Sequence, residues 1–364
     1  MEINKIYNEP CLETLKRMPN DFLDCVITSP PYWQLRDYGY ESQWGLEPTY
    51  NQYLDHLWEM MDEIYRVLKP TGTCWINLGD TYARGSRKKD GTNHTVSNAK
   101  EHHIEPYTKP NYRGLNKCLL LIPHRFAIGC IDRGWIVRND IIWAKRNGMP
   151  ESVTDRFSKK HEYFFFMVKS EKYYFDLDAV RDKIKEVSIE RLQRGVSDTN
   201  KWVNGASGNS PHNLSQPRAN IKTKIPKNSA EMFGSPRARQ HRETNIKFGG
   251  NKGDGNDTGI YSGNNWQPRA DGKNPGSVAD FWDIPTKPSS NEHYAAYNDE
   301  LIKKPILAGC PEGGIIYDPF MGTGSTAESA LRANRKFIGS EMSEKYIDIA
   351  NKRLEHYLLQ QTLF

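Results

Sequence analysis

Strand-like and helix-like stretches alternate along residues 1–182 and again along residues 281–364. The run LDCVIT at 23–28 is rich in β-forming residues, and apolar residues recur every three or four positions along 51–68, as on one face of a helix. Such alternation favours an α/β fold with a parallel or mostly parallel sheet that helices cover on both faces. The intervening segment, 183–280, has neither period.

The same patterns predict the other elements of the two α/β regions. The Pro-Thr-Gly sequence at 70–72 is expected to end the first long helix and to precede a strand at 73–78. Further strands are predicted at 135–143, 162–168, 313–318 and 336–341, and further helices at 119–132, 326–333 and 344–359. Residues 84–116 are polar and basic, which predicts a long surface loop.

The middle segment carries the excess positive charge of the chain. Residues 183–280 hold 16 Lys and Arg against 9 Asp and Glu, whereas the rest of the chain holds 34 basic and 36 acidic residues. The whole chain is only 37% hydrophobic, with a mean hydropathy of −0.77. Some part of it therefore has too few apolar residues to form a substantial hydrophobic core. A solvated loop and an insertion that faces a polyanion both fit this composition.

Cysteine usage and hydropathy exclude several classes of protein. The six cysteines, at 11, 25, 74, 118, 130 and 310, form no CxxC pair, which favours reduced thiols and predicts no metal site. The first residues contain no apolar core of a signal peptide, and no apolar run reaches the length of a membrane span. We therefore expect a cytoplasmic protein with no membrane partner.

A glycine-rich turn, DPFMGTGST at 318–326, follows one predicted strand and opens a helix. Gly322 and Gly324 lack β-carbons, so a ligand can approach the backbone, and the helix N-terminus offers free N–H groups. The turn matches neither the P-loop nor the GxGxxG pattern. Glu341 ends the next strand, where an acidic residue in a doubly wound fold can bind both hydroxyls of a ribose; an ordinary surface acid before the last helix is the alternative. A nucleoside without phosphates, such as S-adenosylmethionine (AdoMet), fits this combination.

A second motif, TSPPYW at 28–33, directly follows the strand predicted at 23–28. Pro30 and Pro31 fix φ and make a rigid elbow. The rings of Tyr32 and Trp33 then either hold something flat or pack into the core beneath a loop.

Together, SPPY at 29–32 and FMGTG at 320–324 resemble the amino-methyltransferases of DNA, in which a (D/N/S)PP(Y/F) tetrad is catalytic and FxGxG is the AdoMet turn. The order, tetrad first and turn last, resembles the circularly permuted beta group. Segments such as LKPTGTCWINLGD (68–80) and KKPILAGCPEGGIIYDPFMGTGST (303–326) resemble the family too. The likeness covers most of 1–182 and 278–364.

The resemblance implies a Rossmann-like, AdoMet-dependent methyltransferase fold. Residues 1–182 would be its catalytic half, 183–280 the target recognition domain and 281–364 the AdoMet-binding half. The implied catalytic residues are Ser29, Pro30, Pro31 and Tyr32, with Tyr32 and Trp33 in the base pocket. The implied cofactor-binding residues are Asp318, Pro319, Phe320, Gly322, Gly324, Ser325, Thr326, Glu341, His293, Tyr294 and Lys304.

Two places leave the assignment of residues open. His161 and Glu162 look like family residues, but packing and pairing at a strand end suit them equally well. Relatives often carry an acid that reaches adenine in a sequence like NEDCLE. This chain reads NEPCLE at 8–13, with Pro10 in that place.

The resemblance implies that the chain methylates a base in double-stranded DNA after flipping it out of the helix. In the family, Ser at the first tetrad position is usual for cytosine N4 and Asp for adenine N6, so Ser29 favours cytosine N4. Adenine N6 stays the alternative, followed by an RNA or protein methyltransferase and by a non-catalytic DNA-binding protein. A cognate restriction endonuclease is a further expected partner.

Overall fold

The structure is a computed structural model that describes residues 1–40, 42–83, 117–148, 151–183, 278–286 and 298–361. The surface loop predicted at 84–116 lies outside the described residues, and so does nearly all of the segment predicted at 183–280. The chain divides into two compact units, one formed by Met1–Tyr174 with Asp280–Phe364 and the other by Phe175–Ala279.

The first unit contains one eight-stranded sheet in the order β1-β8-β7-β2-β3-β5-β4-β6. Its strands are β1 (Lys5–Asn8), β2 (Leu23–Thr28), β3 (Leu68–Leu78), β4 (Ile136–Ala144), β5 (His161–Val168), β6 (Phe281–Asp283), β7 (Ile315–Asp318) and β8 (Lys336–Glu341). Within this sheet, β5 is antiparallel to both neighbours and the other pairs are parallel. The prediction of a mostly parallel sheet is thus confirmed.

Helices cover both faces of the sheet. They are α1 (Cys11–Arg17), α2 (Tyr50–Val67), α3 (Ile122–Asp132), α5 (Asp299–Gly309), α6 (Ser325–Arg332) and α7 (Glu344–Gln361). Side chains alternate along β3, so that Cys74 and Ile76 pack with α2 in one buried cluster. On the other face, the Thr73 hydroxyl donates to the Gly309 carbonyl at the end of α5, at 2.8 Å.

Helix α2 lies within one residue of its predicted bounds, but the strand that follows it begins earlier than predicted. A capping box holds its start, because the Gln52 backbone N–H donates to Thr49 Oγ1 at 3.2 Å and the Thr49 N–H donates to Gln52 Oε1 at 3.1 Å. The prediction that residues 70–72 separate helix from strand is wrong, since α2 passes directly into β3 at Leu68. Leu68 is fully buried, and the Pro-Thr-Gly sequence lies in an irregular stretch of the β2–β3 register, where a proline is tolerated.

The topology brings the ends of several strands to one edge of the sheet. β2, β3, β4, β7 and β8 run in the same direction and end there, and the antiparallel β5 begins there. Ligands of open α/β sheets bind at this carboxyl edge. Strands β2 and β7 lie side by side although the chain separates them by nearly 290 residues, so both predicted motifs lie at the same edge.

In the second unit, the described residues contain the single helical turn α4 (Leu177–Val180), where the Ala179 N–H donates to Asp176 at 3.0 Å. Across the described ranges of the whole chain, we find no helix that is both long and apolar enough to cross a membrane. Five of the six cysteines are buried as free thiols, and Cys118 is exposed.

Candidate active site

A cavity of about 460 Å³ opens at the carboxyl edge of the sheet. Its volume lies within the range of roughly 300–1,000 Å³ that small-molecule sites usually have. All four residues of the SPPY tetrad line it, and so do Asp318, Pro319, Phe320, Gly322, Ser325, Thr326 and Glu341. The structure therefore brings the two sequence motifs into one cavity. We call the part formed by residues 318–326 and Glu341 the turn end, and the part formed around the tetrad the tetrad end.

Asp318 holds the turn end to the tetrad end. Its side chain is almost completely buried, and Oδ1 accepts hydrogen bonds from the Thr28 hydroxyl at 2.6 Å and from the Phe320 N–H at 3.0 Å. Oδ2 accepts from the Thr326 hydroxyl at 2.5 Å. These bonds fix the shape of the turn and tie it to the last residue of β2, directly before Ser29.

The two glycines of the turn do different things. Gly322 lines the cavity with φ of 54°, a backbone conformation that suits glycine. Gly324 is not among the lining residues. Its φ is 82°, and a β-carbon there would lie 2.9 Å from Cβ of Ala350 on α7. The second glycine thus permits close packing of the turn against α7, whereas the sequence predicts a ligand contact there.

Glu341 presents a carboxylate to the cavity from the end of β8. Oε2 accepts from the Gly322 N–H and Oε1 from the Ser343 N–H, both at 2.8 Å. Burial raises the pKa of Glu341 above its ordinary value, although these N–H groups oppose the shift. Each carboxylate oxygen has two lone pairs, so both keep capacity for ribose hydroxyls.

Hydroxyl, amide and carboxylate groups meet at the tetrad end. Ser29 Oγ lies 3.4 Å from both Tyr32 Oη and Asn77 Oδ1. Tyr32 Oη lies 3.0 Å from Asn77 Oδ1 and 2.8 Å from Glu162 Oε2. Asn77 Nδ2 donates to the Tyr163 carbonyl at 3.0 Å, which points Oδ1 toward the hydroxyls. The end of β3 therefore adds an acceptor beside the tetrad.

The ring of Tyr32 is tightly placed. A β-carbon at Gly79 would lie 2.6 Å from Cε2 of Tyr32, so the ring needs glycine at that position. The Tyr53 hydroxyl donates to the Pro31 carbonyl at 2.8 Å and holds the elbow. Burial, and then the charge of Glu162, raise the pKa of Tyr32 well above its ordinary value. Tyr32 therefore keeps its proton and can donate it to the Glu162 carboxylate.

Sequence reasoning did not assign three polar residues that line this end: Asn77, Lys145 and Glu162. The Lys145 ammonium forms an ion pair with Glu162 and lies 4.4 Å from the centroid of the Trp143 ring. In the sequence, each of these residues stands at or beside the end of a predicted strand. The three strands are different ones, so the sequence does not show that the residues lie together. Glu162 contacts Tyr32 of the tetrad directly. Its other suggested role, packing and pairing at a strand end, does not account for this contact.

Two predicted residues, Trp33 and Lys304, do not line the cavity, and two more cannot be placed. Trp33 is 5% exposed, its Nε1 donates to the Glu47 carbonyl at 2.9 Å, and it is not among the lining residues. It therefore packs in the core, and its prediction as a wall of the pocket is not what the structure shows. Lys304 lies on α5 with its ammonium 5.6 Å from the Trp282 ring centroid, also away from the lining. His293 and Tyr294 lie outside the described residues.

Several aromatic residues that the sequence reasoning missed also line the cavity. Tyr38, Tyr40 and Trp44 follow the tetrad within about a dozen residues, and Tyr346 comes from the start of α7. Pro10 lines the same wall, together with Glu9, whose Oε1 accepts from the Thr14 hydroxyl at 2.6 Å and pairs with Arg17. This wall supplies flat apolar surface beside the turn end.

Comparison with known proteins agrees with this geometry. The family model for N6- and N4-methyltransferases, described as DNA methylase, matches residues 23–352. The chain belongs to the DNA methylase family. It is therefore an AdoMet-dependent DNA methyltransferase with an α/β fold.

Relatives of this DNA methylase match it over nearly its whole length. The Type II methyltransferase M.Cfr9I of Citrobacter freundii is 30% identical over 360 residues, covering 98% of this chain and 89% of that protein. The Type II methyltransferase M.SmaI of Serratia marcescens is 28% identical over 346 residues, covering 94% and 87%. Among solved structures, the cytosine-N4-specific PvuII DNA methyltransferase has the same fold, with a TM-score of 0.54, 14% identity and coverage of 96% and 85%.

Proposed function

We propose that this DNA methylase transfers a methyl group from AdoMet to the exocyclic N4 amine of cytosine in duplex DNA, within a short recognition sequence. The observation that carries the proposal is the meeting of Ser29, Tyr32 and Asn77 with the glycine turn in one cavity. Cytosine is chosen over adenine because the tetrad begins with Ser29, as is usual for N4 enzymes of the family that it resembles.

The turn end has groups that fit AdoMet. Gly322 removes a side chain from the wall, Glu341 offers acceptor oxygens to ribose hydroxyls, and Tyr38 and Tyr346 give apolar faces to a purine ring. None of the residues of the turn carries a basic side chain, which matches a nucleoside without phosphates. When bound, AdoMet supplies an electrophilic methyl group.

The tetrad end provides acceptors for an amine. The lone pair of an exocyclic amine is delocalised into the base, and acceptors beside its two N–H bonds favour the pyramidal, nucleophilic form. We assign these contacts to Ser29 Oγ and the Pro30 carbonyl, with Asn77 Oδ1 beside them. Pro30 and Pro31 fix the backbone, and Tyr32 offers its ring to the extruded base. With the amine positioned in this way, the methyl group passes directly from AdoMet to the amine, without a covalent enzyme intermediate.

The remaining parts of the proposal concern partners. The segment 183–280, with its net positive charge, would bind phosphates and read base edges. The relatives are bacterial Type II methyltransferases by name, which supports a cognate endonuclease and a place in the bacterial cytoplasm.

Identification of the modified nucleoside tests the proposal. Unmethylated DNA is incubated with the protein and isotopically labelled AdoMet, digested to nucleosides and separated by mass. We expect label in N4-methyldeoxycytidine. Label in N6-methyldeoxyadenosine instead would move the assignment to adenine, which the same cavity accommodates. Labelled RNA or protein, with unlabelled DNA, would refute the DNA substrate, and absence of AdoMet binding by calorimetry would refute catalysis.

A further inference from the structure

The loop between β4 and β5 carries an apolar side chain that is almost wholly in solvent. This loop, of which the structure describes residues 145–148 and 151–160, contains Phe157, whose side chain is 97% exposed. Among the large hydrophobic residues of the described ranges, no other is as exposed; the next is Leu35 at 63%. Single apolar side chains are common on protein surfaces, but a ring this exposed is fully available to a partner that covers it or stacks on it.

The loop holds Phe157 outward through a set of fixed contacts. Arg156 Nη1 donates to Glu151 Oε2 at 2.6 Å and to the Phe157 carbonyl at 3.0 Å. The Arg156 guanidinium lies 4.0 Å from the centroid of the Tyr82 ring, and the Lys159 ammonium donates to the Asp80 carbonyl. Arg156, directly before Phe157, and Lys159, two residues after it, are thus held against the rest of the unit. These contacts fix the position of the backbone that carries the exposed ring.

The loop stands at the mouth of the cavity. Ala144 pairs with His161 at its base, the Lys145 N–H donates to the Lys160 carbonyl at 2.8 Å, and both Lys145 and Glu162 line the cavity. Phe157 is five residues from Glu162, so their Cα atoms are at most about 18 Å apart. Phe157 therefore belongs to a loop whose base lies at the cavity.

The charge of the loop matches nucleic acid. Residues 145–160 hold five Lys and Arg against two acids, Glu151 and Asp155. An exposed apolar ring on a loop with more basic than acidic residues fits a DNA duplex, in which phosphates flank a stack of flat bases. Apolar side chains of DNA-binding proteins enter between base pairs in this way, and removal of a base from the stack leaves a gap that needs filling.

We propose that Phe157 enters the duplex beside the target base pair and fills the space that the extruded base leaves. The inference rests on the proposed function, because it requires that the target base leaves the helix. Phe157 is a positioning residue, since it acts on the duplex and not on the reacting atoms.

Kinetics on paired and mismatched DNA test this inference. Mapping the methylated positions of a plasmid first gives the recognition sequence, from which one fully paired duplex and one with a mismatch at the target base are made. For Phe157→Ala, we expect about a tenfold to hundredfold slower methylation of the paired duplex, as for loss of one aromatic stacking contact. On the mismatched duplex, whose target base leaves the stack easily, the loss should shrink to about threefold or less.

Three controls make the outcome decisive. Phe281→Ala removes a ring that is 59% exposed on the edge strand β6 and does not line the cavity, and it should leave both rates unchanged. Phe157→Trp keeps a stacking ring and should retain activity within about threefold of the original. The AdoMet dissociation constant and the melting temperature should be the same for all variants, since Phe157 contacts neither the cavity nor the core.

The inference is overturned if Phe157→Ala matches Phe281→Ala on the paired duplex. It is also overturned if Phe157→Ala is equally slow on both duplexes, or if Phe157→Trp is as slow as the alanine variant. A wild-type protein that methylates no DNA refutes the proposed function instead, so the two failures are distinguishable.

Discussion

The turn end and the tetrad end of the cavity share one edge of the sheet but are built differently. At the turn end, one continuous stretch supplies most of the wall, and its polar contacts are largely backbone N–H groups that the carboxylates of Asp318 and Glu341 hold. At the tetrad end, side chains from β3, β4, β5 and the tetrad meet, and their hydroxyl, amide and charged groups contact one another.

The difference shows that residues of the same chemical type can have different roles in the cavity. Asp318 and Glu341 are both buried carboxylates at strand ends. Both line the cavity. The side-chain hydrogen bonds described for Asp318 include two from threonine hydroxyls on other elements, whereas those described for Glu341 come from backbone N–H groups. We therefore expect substitutions at the two ends, and of the two carboxylates, to separate into effects on rate, on folding and on cofactor affinity.

The largest expected effect is at the tetrad end. Ser29→Ala removes an acceptor for the amine and should lower the single-turnover rate of methyl transfer by about 10²–10³-fold. AdoMet affinity, measured by calorimetry, should stay unchanged because the turn end is intact. Ser170→Ala, at the opposite edge of the sheet, is the matched control. A rate within about twofold of the original would remove Ser29 from the catalytic assignment.

The next effect concerns folding. Asp318→Asn leaves one of the donors around residue 318 without an acceptor, and the free energy of unfolding should fall by about 2–4 kcal/mol, as measured by urea denaturation. Asp155→Asn is the control, because its ion pair with Lys117 is exposed and its loss should leave the free energy of unfolding nearly unchanged. If Asp318→Asn kept full stability and lost only AdoMet binding, Asp318 would belong with Glu341 as a ligand group.

Glu341→Gln should weaken cofactor binding. Because it also leaves either the Gly322 or the Ser343 N–H without its acceptor, the melting temperature is measured alongside. Loss of a charged acceptor for ribose hydroxyls is expected to raise the AdoMet dissociation constant about tenfold to hundredfold. The rate at saturating AdoMet should change little, in contrast to Ser29→Ala. An equal loss of rate at saturation would show that the two ends do not act independently.

The pH dependence of binding checks the same assignment. Because burial raises the pKa of Glu341, acidification protonates it at a higher pH than the usual value of about 4.3 for a glutamate. Protonation removes acceptor capacity, so AdoMet affinity should fall as the pH is lowered through that raised pKa. The Glu341→Gln protein should show no such fall in this pH range, and a fall of equal size would assign it to another group.

The smallest effect is expected from a single hydroxyl. Tyr32→Phe keeps the ring but removes the hydrogen bond to Glu162, and we expect about a fivefold to tenfold slower transfer with unchanged AdoMet affinity. Tyr7→Phe, whose hydroxyl contacts the exposed Glu2, is the control. If Tyr32→Phe were as slow as Ser29→Ala, the hydroxyl and not the ring would be the main contribution of Tyr32.

The long elements were predictable because burial of a periodic set of apolar side chains dominates each of them. The apolar face of α2 and the β-rich runs of β2 and β8 fall within about one residue of their predicted bounds. Helix α5 was not predicted, since Pro305 interrupts the pattern, and burial of Leu301 and Ile306 outweighs that cost. The short strands β1 and β6 depend on pairing with distant strands, which periodicity does not reveal.

The site divides in the same way. Ser29, Tyr32 and Gly322 stand in short motifs that can be read directly, whereas Asn77 and Glu162 become neighbours only when β5 is placed antiparallel beside β3. A strand-forming run carries no sign of its direction, so this pairing was not available from the sequence. Trp33 was wrongly predicted for the opposite reason. It is adjacent to Tyr32 in the sequence, but its side chain points away from the cavity into the core.

The pairing of β2 with β7 has a consequence for the synthesis of the protein. Strand β2 lies in the middle of the sheet, but one of its two neighbours is translated nearly 290 residues later. At about 5–20 residues per second, roughly 15–60 s pass before that neighbour leaves the ribosome. During this time the nascent chain exposes an unpaired apolar strand edge, which is a template for aggregation. A cell that makes this enzyme therefore needs either rapid completion of the chain or chaperones that cover β2 until β7 arrives.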